Sequence, residues 1–329
     1  MKRTLFRILA FPLPTRKLRN IVRRWGGPKI TKPDYIGQIL NILSASIDIN
    51  HIPQARGIMK YIQDSNLKLL NTFDKFTQIH NIKYFMIGGA IAGKLRYNNC
   101  IPWDDDIDVG MLSDDYCKFI KIIKHCIPNK YFYALFTSNV CRIIHTETKA
   151  FLDILRYDVH HSPNCYKEQN EQKLREQLEK FRTKRSDVPF MHFELTNSLT
   201  HKDIEKKYNI IEADFELTKK IHQSIFCNNT DQSKTIFPMH ADCKPGEFYD
   251  YSTIFPTKRL KFNKYYFWFP KDLELYATKC WGNIYSFPND MFRHHMFSQD
   301  ISPKKLIALR EFLNLSDQDV FNQFCSKDK

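Results

Sequence analysis

Four carboxylates fall within five residues, at Asp104, Asp105, Asp106 and Asp108. Ile101, Pro102 and Trp103 precede them, and Ile107 and Val109 lie among them, which is not the composition of a solvated acidic loop. Two ionised carboxylates about 4 Å apart repel by about 4 kcal/mol at an effective dielectric near 20. The cluster therefore calls for a compensating cation, and hard oxygen donors suit Mg²⁺ or Mn²⁺. A calcium EF-hand does not fit, because the loop's ligand pattern and its closing Glu are missing. Upstream, Gly88-Gly89 ends the apolar run YFMI. A glycine pair between a strand and a helix lets backbone approach a phosphate, with helix-end N–H groups aimed at it. Lys94 and Arg96 come next as cations placed to meet phosphate, or as a solvated helix face. Downstream, Asp153 in AFLDIL is a candidate third metal ligand, or the base that takes an acceptor proton.

The elements that must position these residues are legible as periodicities. Ile62, Leu69, Leu70, Phe73 and Phe76 share a face and predict a helix over 59–80. A buried strand is expected at 84–89, then a short helix from Ala90 to Tyr97. Alternation of Asp106, Asp108 and Gly110 against Ile107, Val109 and Met111 predicts a strand over 104–111, with Asp104, Asp106 and Asp108 on one face. Ser113, as an N-cap, opens the next helix. Strands are expected at 131–137, 140–145 and 150–155. The order implies an α+β fold, a mixed β-sheet flanked by helices with a helical and irregular C-terminal part. The sequence strand–GG–helix–strand–DxD is the layout of the nucleotidyltransferase fold, in which two metals clamp a nucleotide's phosphates.

Residues 84–111, YFMIGGAIAGKLRYNNCIPWDDDIDVGM, resemble the signature of the LicD/fukutin family of phosphotransferases. Gly89, Gly93 and Arg96 fall on that family's glycine, glycine and arginine, and Ile101–Val109 matches throughout. AFLDILRYD resembles a later segment of the family, with Asp153 and Asp158 retained and Leu155 and Arg156 replacing Phe and Pro. Arg259, Pro270, Asp272, Gly282 and Pro288 match its closing element. Ile91-Ala92 and Lys94 depart from the pattern, and 166–187 has no counterpart in it. The resemblance implies transfer of a phosphorylated alcohol, such as phosphocholine or ribitol phosphate, from a CDP-linked donor to a hydroxyl of a glycan or glycolipid acceptor, releasing CMP. It implies metal on Asp104, Asp106, Asp108 and Asp153, catalysis by Asp106, Asp108 and Asp153, and donor contacts from Gly88, Gly89, Lys94, Arg96 and Arg259. Arg259 could instead pair with a structural acid. Two alternatives stay open: a nucleotidyltransferase acting on a sugar phosphate or RNA, and a degenerate glycan-binding module.

The 329 residues carry a net charge of +14. Residues 1–32 hold ten Lys or Arg and no acid, so the basicity belongs to an N-terminal arm, and no specific nucleic-acid partner is expected. Leu5, Ile8 and Leu9 share a helical face flanked by bases, which suits contact with an anionic membrane surface. The apolar stretch there is interrupted by Arg7, Pro12 and Pro14, so neither a signal peptide nor a transmembrane helix is expected. Nine cysteines without zinc spacing read as free thiols of a reducing, cytoplasmic compartment. His160, His161 and Cys165 offer too few ligands for zinc. The expected organisation is an arm (1–32), a lead-in (33–58), a catalytic domain (59–300) with a charged helical insertion at 166–187, and a C-terminal helical tail (301–329).

Overall fold

The computed structural model describes residues 42, 45–136, 139–161, 193–195, 234–238, 249–287 and 302–326. The basic arm at 1–32, the insertion at 166–187, Cys165 and Pro288 lie outside the described residues, as do the side chains of His160 and His161. The chain divides after Ile49, and the unit Asn50–Lys329 holds the sheet and the acidic cluster.

Helix α1 (Gly57–Ile79) buries Ile62, Leu69, Leu70, Phe73 and Phe76, the stripe expected from its periodicity. Strand β1 (Phe85–Met86) leads through the glycine pair into α2 (Gly89–Tyr97). Strand β2 (Asp108–Leu112) leads into α3 (Ser113–Ile123). Then come β3 (Phe132–Phe136), β4 (Val140–His145), β5 (Phe151–His161), β6 (Phe193–Leu195), β7 (Lys234–Pro238) and β8 (Tyr249–Asp250). The sheet runs β1-β2-β5-β4-β3-β6, and β7 joins the far end of β5 and carries β8. Only β2 and β5 pair in parallel among the described strands; the other ladders are antiparallel. This mixed sheet with helices against it is the α+β architecture that the pattern implied.

Val109, Met111, Leu152, Ile154, Cys141 and Ile143 alternate onto one face and are buried. Helices α1 and α3 cover strands of this sheet, with Phe119 of α3 edge-on to Phe73 and Phe76 at centroid distances of 5.7 and 6.2 Å. Ser113 is the first helical residue rather than the cap. Its hydroxyl donates to the Tyr157 carbonyl at 3.1 Å and accepts from Arg156, so it is not available to the helix end.

The C-terminal part holds a short helix α4 (Tyr251–Ile254), a hairpin of β9 (Lys258–Phe262) and β10 (Tyr265–Phe269), and helices α5 (Leu273–Trp281), α6 (Pro303–Asn314) and α7 (Asp317–Phe324). The hairpin has no clean alternation to announce it, because aromatics fill both its faces. Helices α6 and α7 pack on α1, where Phe324 meets Phe76 at 5.5 Å and Phe132 at 5.3 Å. Ser316 and Asp319 form a reciprocal capping box on α7. The ammonium of Lys68 donates to the Leu313 and Leu315 carbonyls between these two helices, so the C-terminal segment is bolted to the core helix.

Candidate active site

The acidic segment is a loop where a strand was expected. The ladder of β2 begins at Asp108, and residues 104–107 are irregular. The cause is local. The Asp104 N–H closes a turn onto the Ile101 carbonyl at 3.0 Å, and two side chains of α1 take the carbonyls that a strand partner would need. Gln63 Nε2 donates to Ile101 O and Asp104 O at 2.8 and 2.7 Å, and Asn66 Nδ2 donates to Asp105 O at 2.8 Å. Asn66 Oδ1 also accepts from the N–H of Phe151, so one buried amide ties the loop to the start of β5. Because a loop rather than a pleat carries the acids, Asp105 joins Asp104 and Asp106. Carboxylate oxygens of these three lie within 4.8 Å of one another.

The glycine pair lies directly against this loop. A Cβ on Gly89 would collide with Asp104 Oδ2, and one on Gly88, whose φ is +59°, would meet Asp108 Oδ2 at 2.8 Å. A side chain at either position would have to push a carboxylate aside, and at Gly88 the positive φ favours glycine as well. The carboxylates thus sit beside the N-terminal end of α2, whose partial positive charge favours them.

Strand register completes the site. Asp108 on β2 is paired with Asp153 on β5, and Asp153 in turn with Arg142 on β4, so the three side chains form a row on one face across three strands. Arg142 donates to both oxygens of Asp153, Nε to Oδ1 at 2.6 Å and Nη2 to Oδ2 at 2.5 Å. It also lies over the Phe151 ring at 4.4 Å. The electrostatics are those of crowded acids. Burial first, and then the Asp106 charge and hydrogen bond with Asp108 and Asp105 behind, push Asp104 well above the usual carboxylate range. Burial also raises Asp108, helped by Asp106 and Asp153 and opposed by Arg142. Asp104, Asp105 and Asp153 are buried, whereas Asp106 and Asp108 are partly exposed and open to a ligand. Hard, mutually repelling oxygen donors beside a glycine turn with no room for a Cβ fit a small divalent cation.

The other expected contacts, Arg259, Lys94 and Arg96, have protein partners of their own. Arg259 donates to both oxygens of Asp74 at 2.8 and 2.6 Å and stacks on Trp268, and Tyr84 adds its hydroxyl to the same acid at 2.7 Å. Its geometry is that of a structural ion pair between α1 and the hairpin. Lys94 donates to Asn98 Oδ1 and to the Lys261 carbonyl at 2.5 and 2.8 Å. Arg96 is half-buried beside Tyr97 and Tyr285. Arg142 is a cation set in the acidic row itself, paired with Asp153. Trp103 is partly buried.

Asn66 builds the site without belonging to any motif; its only signal in the sequence is a polar residue in the stripe between Ile62 and Leu69. Replacing it by Ala leaves the Phe151 N–H and the Asp105 carbonyl without this partner. The expected cost is about 1–3 kcal/mol of stability. Chemical denaturation should show it, and a change within a few tenths of a kcal/mol would mean that Asn66 does not hold the loop.

This arrangement, a strand, a glycine turn, a helix and an acidic loop entering a mixed sheet, defines a nucleotidyltransferase-type domain. Residues 81–196 match the family described as LicD/FKTN/FKRP, nucleotidyltransferase domain. The lipopolysaccharide cholinephosphotransferase LicD of Haemophilus influenzae is 39% identical over 56 residues, 17% of this chain and 21% of that protein. An uncharacterized protein of Rickettsia typhi is 31% identical over 71 residues, 20% of this chain and 23% of its own. One of Rickettsia prowazekii is 26% identical over 108 residues, 29% and 41%. The matched stretches thus span between a fifth and two-fifths of these relatives. Among the described residues, no helix is long and apolar enough to cross a membrane.

Proposed function

We propose that this protein transfers a phosphorylated alcohol from a CDP-linked donor to a glycan hydroxyl, releasing CMP. The observation that carries the reading is the cluster of Asp104, Asp106 and Asp108 set against Gly88-Gly89 inside the family-matched segment. The name of the Haemophilus influenzae relative, which shares part of the chain, supports the reaction class. Asp104, Asp106 and Asp108 would hold Mg²⁺ or Mn²⁺. Such an ion, when bound, supplies charge neutralisation to a diphosphate.

The chain's own residues supply the rest. The acidic cluster lies beside the N-terminal end of α2, so a diphosphate held at that cluster would lie near helix-end N–H groups. Arg142, fixed by Asp153, keeps N–H donors beyond the two that Asp153 engages, and a guanidinium suits a phosphoryl oxygen. An acceptor oxygen bonds to the phosphorus of the transferred group as the bond to CMP breaks. The acceptor's proton passes to a carboxylate at the site or to water. Both oxygens of Asp153 accept from Arg142, which suits it to orienting better than to proton transfer, and the more exposed Asp106 is better placed as the acceptor of that proton.

The test is a donor panel with Mg²⁺ or Mn²⁺. CMP release from CDP-choline or CDP-ribitol in the presence of glycan is the expected result. Pyrophosphate release from a nucleoside triphosphate would favour a nucleotidyltransferase instead, and inertness of the folded, metal-supplied protein toward both donor types would favour a glycan-binding module.

A further inference from the structure

A cleft of about 200 Å³ opens beside the acidic loop and shares two of its walls, Asp105 and Arg142. That is smaller than the roughly 300–1,000 Å³ of a whole drug-sized ligand site, so it suits one sugar ring with its substituent rather than a longer glycan. Its other functional lining is Tyr133, Lys149, Phe151 and Lys305. Strands β3, β4 and β5, the turn between β4 and β5, the acidic loop, and helices α1 and α6 converge there. The turn is held in place from within. Thr148 Oγ1 meets His145 Nδ1 at 2.9 Å and accepts from the Ala150 N–H at 3.1 Å, while Lys149 adopts a left-handed φ of +58°. A lysine in that conformation costs energy that glycine or asparagine would avoid, and such strain collects at functional sites. The Lys149 ammonium lies 4.9 Å from the Tyr133 ring centroid and 3.3 Å from its hydroxyl.

Three cations and one acid line this cleft. Arg142 is paired with Asp153, and Asp105 lies on the side of the acidic loop. Lys149 and Lys305 are like charges close enough to disfavour each other. Burial lowers the Lys305 ammonium, and the Lys149 charge lowers it further, against a smaller opposing pull from Asp105. An anion between the two lysines would relieve their repulsion. A quaternary ammonium such as choline would add to it. The cleft therefore disfavours a cationic donor alcohol.

We infer that this cleft, built from Tyr133, Lys149, Phe151 and Lys305 beside Arg142, binds a saccharide carrying an anionic substituent, a carboxylate or a phosphate, as the acceptor. Lys149 and Lys305 hold the anion, and the aromatic rings offer apolar surface to the sugar. The assignment of the saccharide as acceptor rests on the phosphotransfer reading. The presence of an anionic-sugar site does not.

Calorimetric titration of the full-length protein without donor, at about 0.15 M salt, keeps the two separate. The probes are a glucuronate-containing disaccharide, a phosphorylated sugar (glucose 6-phosphate) and their neutral counterparts. At least one charged probe should bind about tenfold or more tighter than its neutral partner, the low end for a charge-assisted hydrogen bond. Which one does so distinguishes carboxylate from phosphate. In the double variant Lys149→Gln/Lys305→Gln the preference should shrink to within about twofold, with folding verified by its melt. Equal or undetectable binding of charged and neutral sugars, or a preference that survives in the variant, overturns the inference. An anion preference that depends on the two lysines, found together with no CMP release from any donor, would leave the cleft standing and remove the phosphotransfer reading.

Discussion

Asp153→Asn should lower the turnover of the proposed phosphotransfer at least about a hundredfold while leaving the protein folded, in the range seen on losing a positioned acid or base. The substitution conserves shape, so the effect comes from charge. Asp153 holds Arg142 by both oxygens and stands in register with Asp108. An amide can accept on one atom only, so the fork loses one of its two bonds and Arg142 is left next to the acids with its orientation unset. Arg142→Lys makes the complementary test. It keeps the positive charge and discards the bidentate geometry, and it should lose most of the same turnover. If Asp153→Asn turns over at a near-normal rate, with a melt that confirms folding, the row across β2, β5 and β4 is structural. If Arg142→Lys is fully active, charge alone suffices there and the fork has no role.

How much of the molecule is legible in its sequence depends on what each residue answers to. Positions governed by periodicity are legible: the stripe of α1, the alternation in β4 and the chain order around Gly88-Gly89 all come from burying one face of a helix or strand. The acidic segment reads as a strand because alternation from Asp106 to Met111 is compatible with a pleat. What prevents the pleat is the pair of amides Gln63 and Asn66, some forty residues earlier, capturing the loop's carbonyls. No local pattern carries that information. Arg142 is visible in principle, since VCRIIH places a charge between Val140 and Ile144 on one face of a strand, and an internal strand tolerates this only with a partner. The partner cannot be named without the register of β4 against β5. Arg259 shows the converse. Its place in a family-like segment suggests a phosphate, and the fold gives it the buried Asp74.

Asp106→Asn should stabilise the metal-free protein and destabilise it relative to wild type once Mn²⁺ is present. Asp106 is the leading charge raising both Asp104 and Asp108 after burial. Those two acids hold protons in the native state at pH values where the unfolded chain, with carboxyls titrating near 3.9, has released them. The native state then binds more protons than the unfolded one, so metal-free stability should fall as pH rises from about 4 toward the raised native values. Asp106→Asn weakens the repulsion behind that slope, and it should both raise the metal-free melting temperature near neutral pH and flatten the decline. Mn²⁺ at a hundred times its dissociation constant should add about 2.7 kcal/mol to wild type by mass action. The variant, lacking one of the clustered donors, should gain far less and transfer no phosphoryl group. Melts of both proteins in EDTA and in Mn²⁺ across this pH range measure the reversal. A merely structural acidic turn would give a small loss, or no change, in both conditions, and a wild type whose melt ignores Mn²⁺ would remove the cation from the site and, with it, the physical basis for holding a diphosphate against this loop.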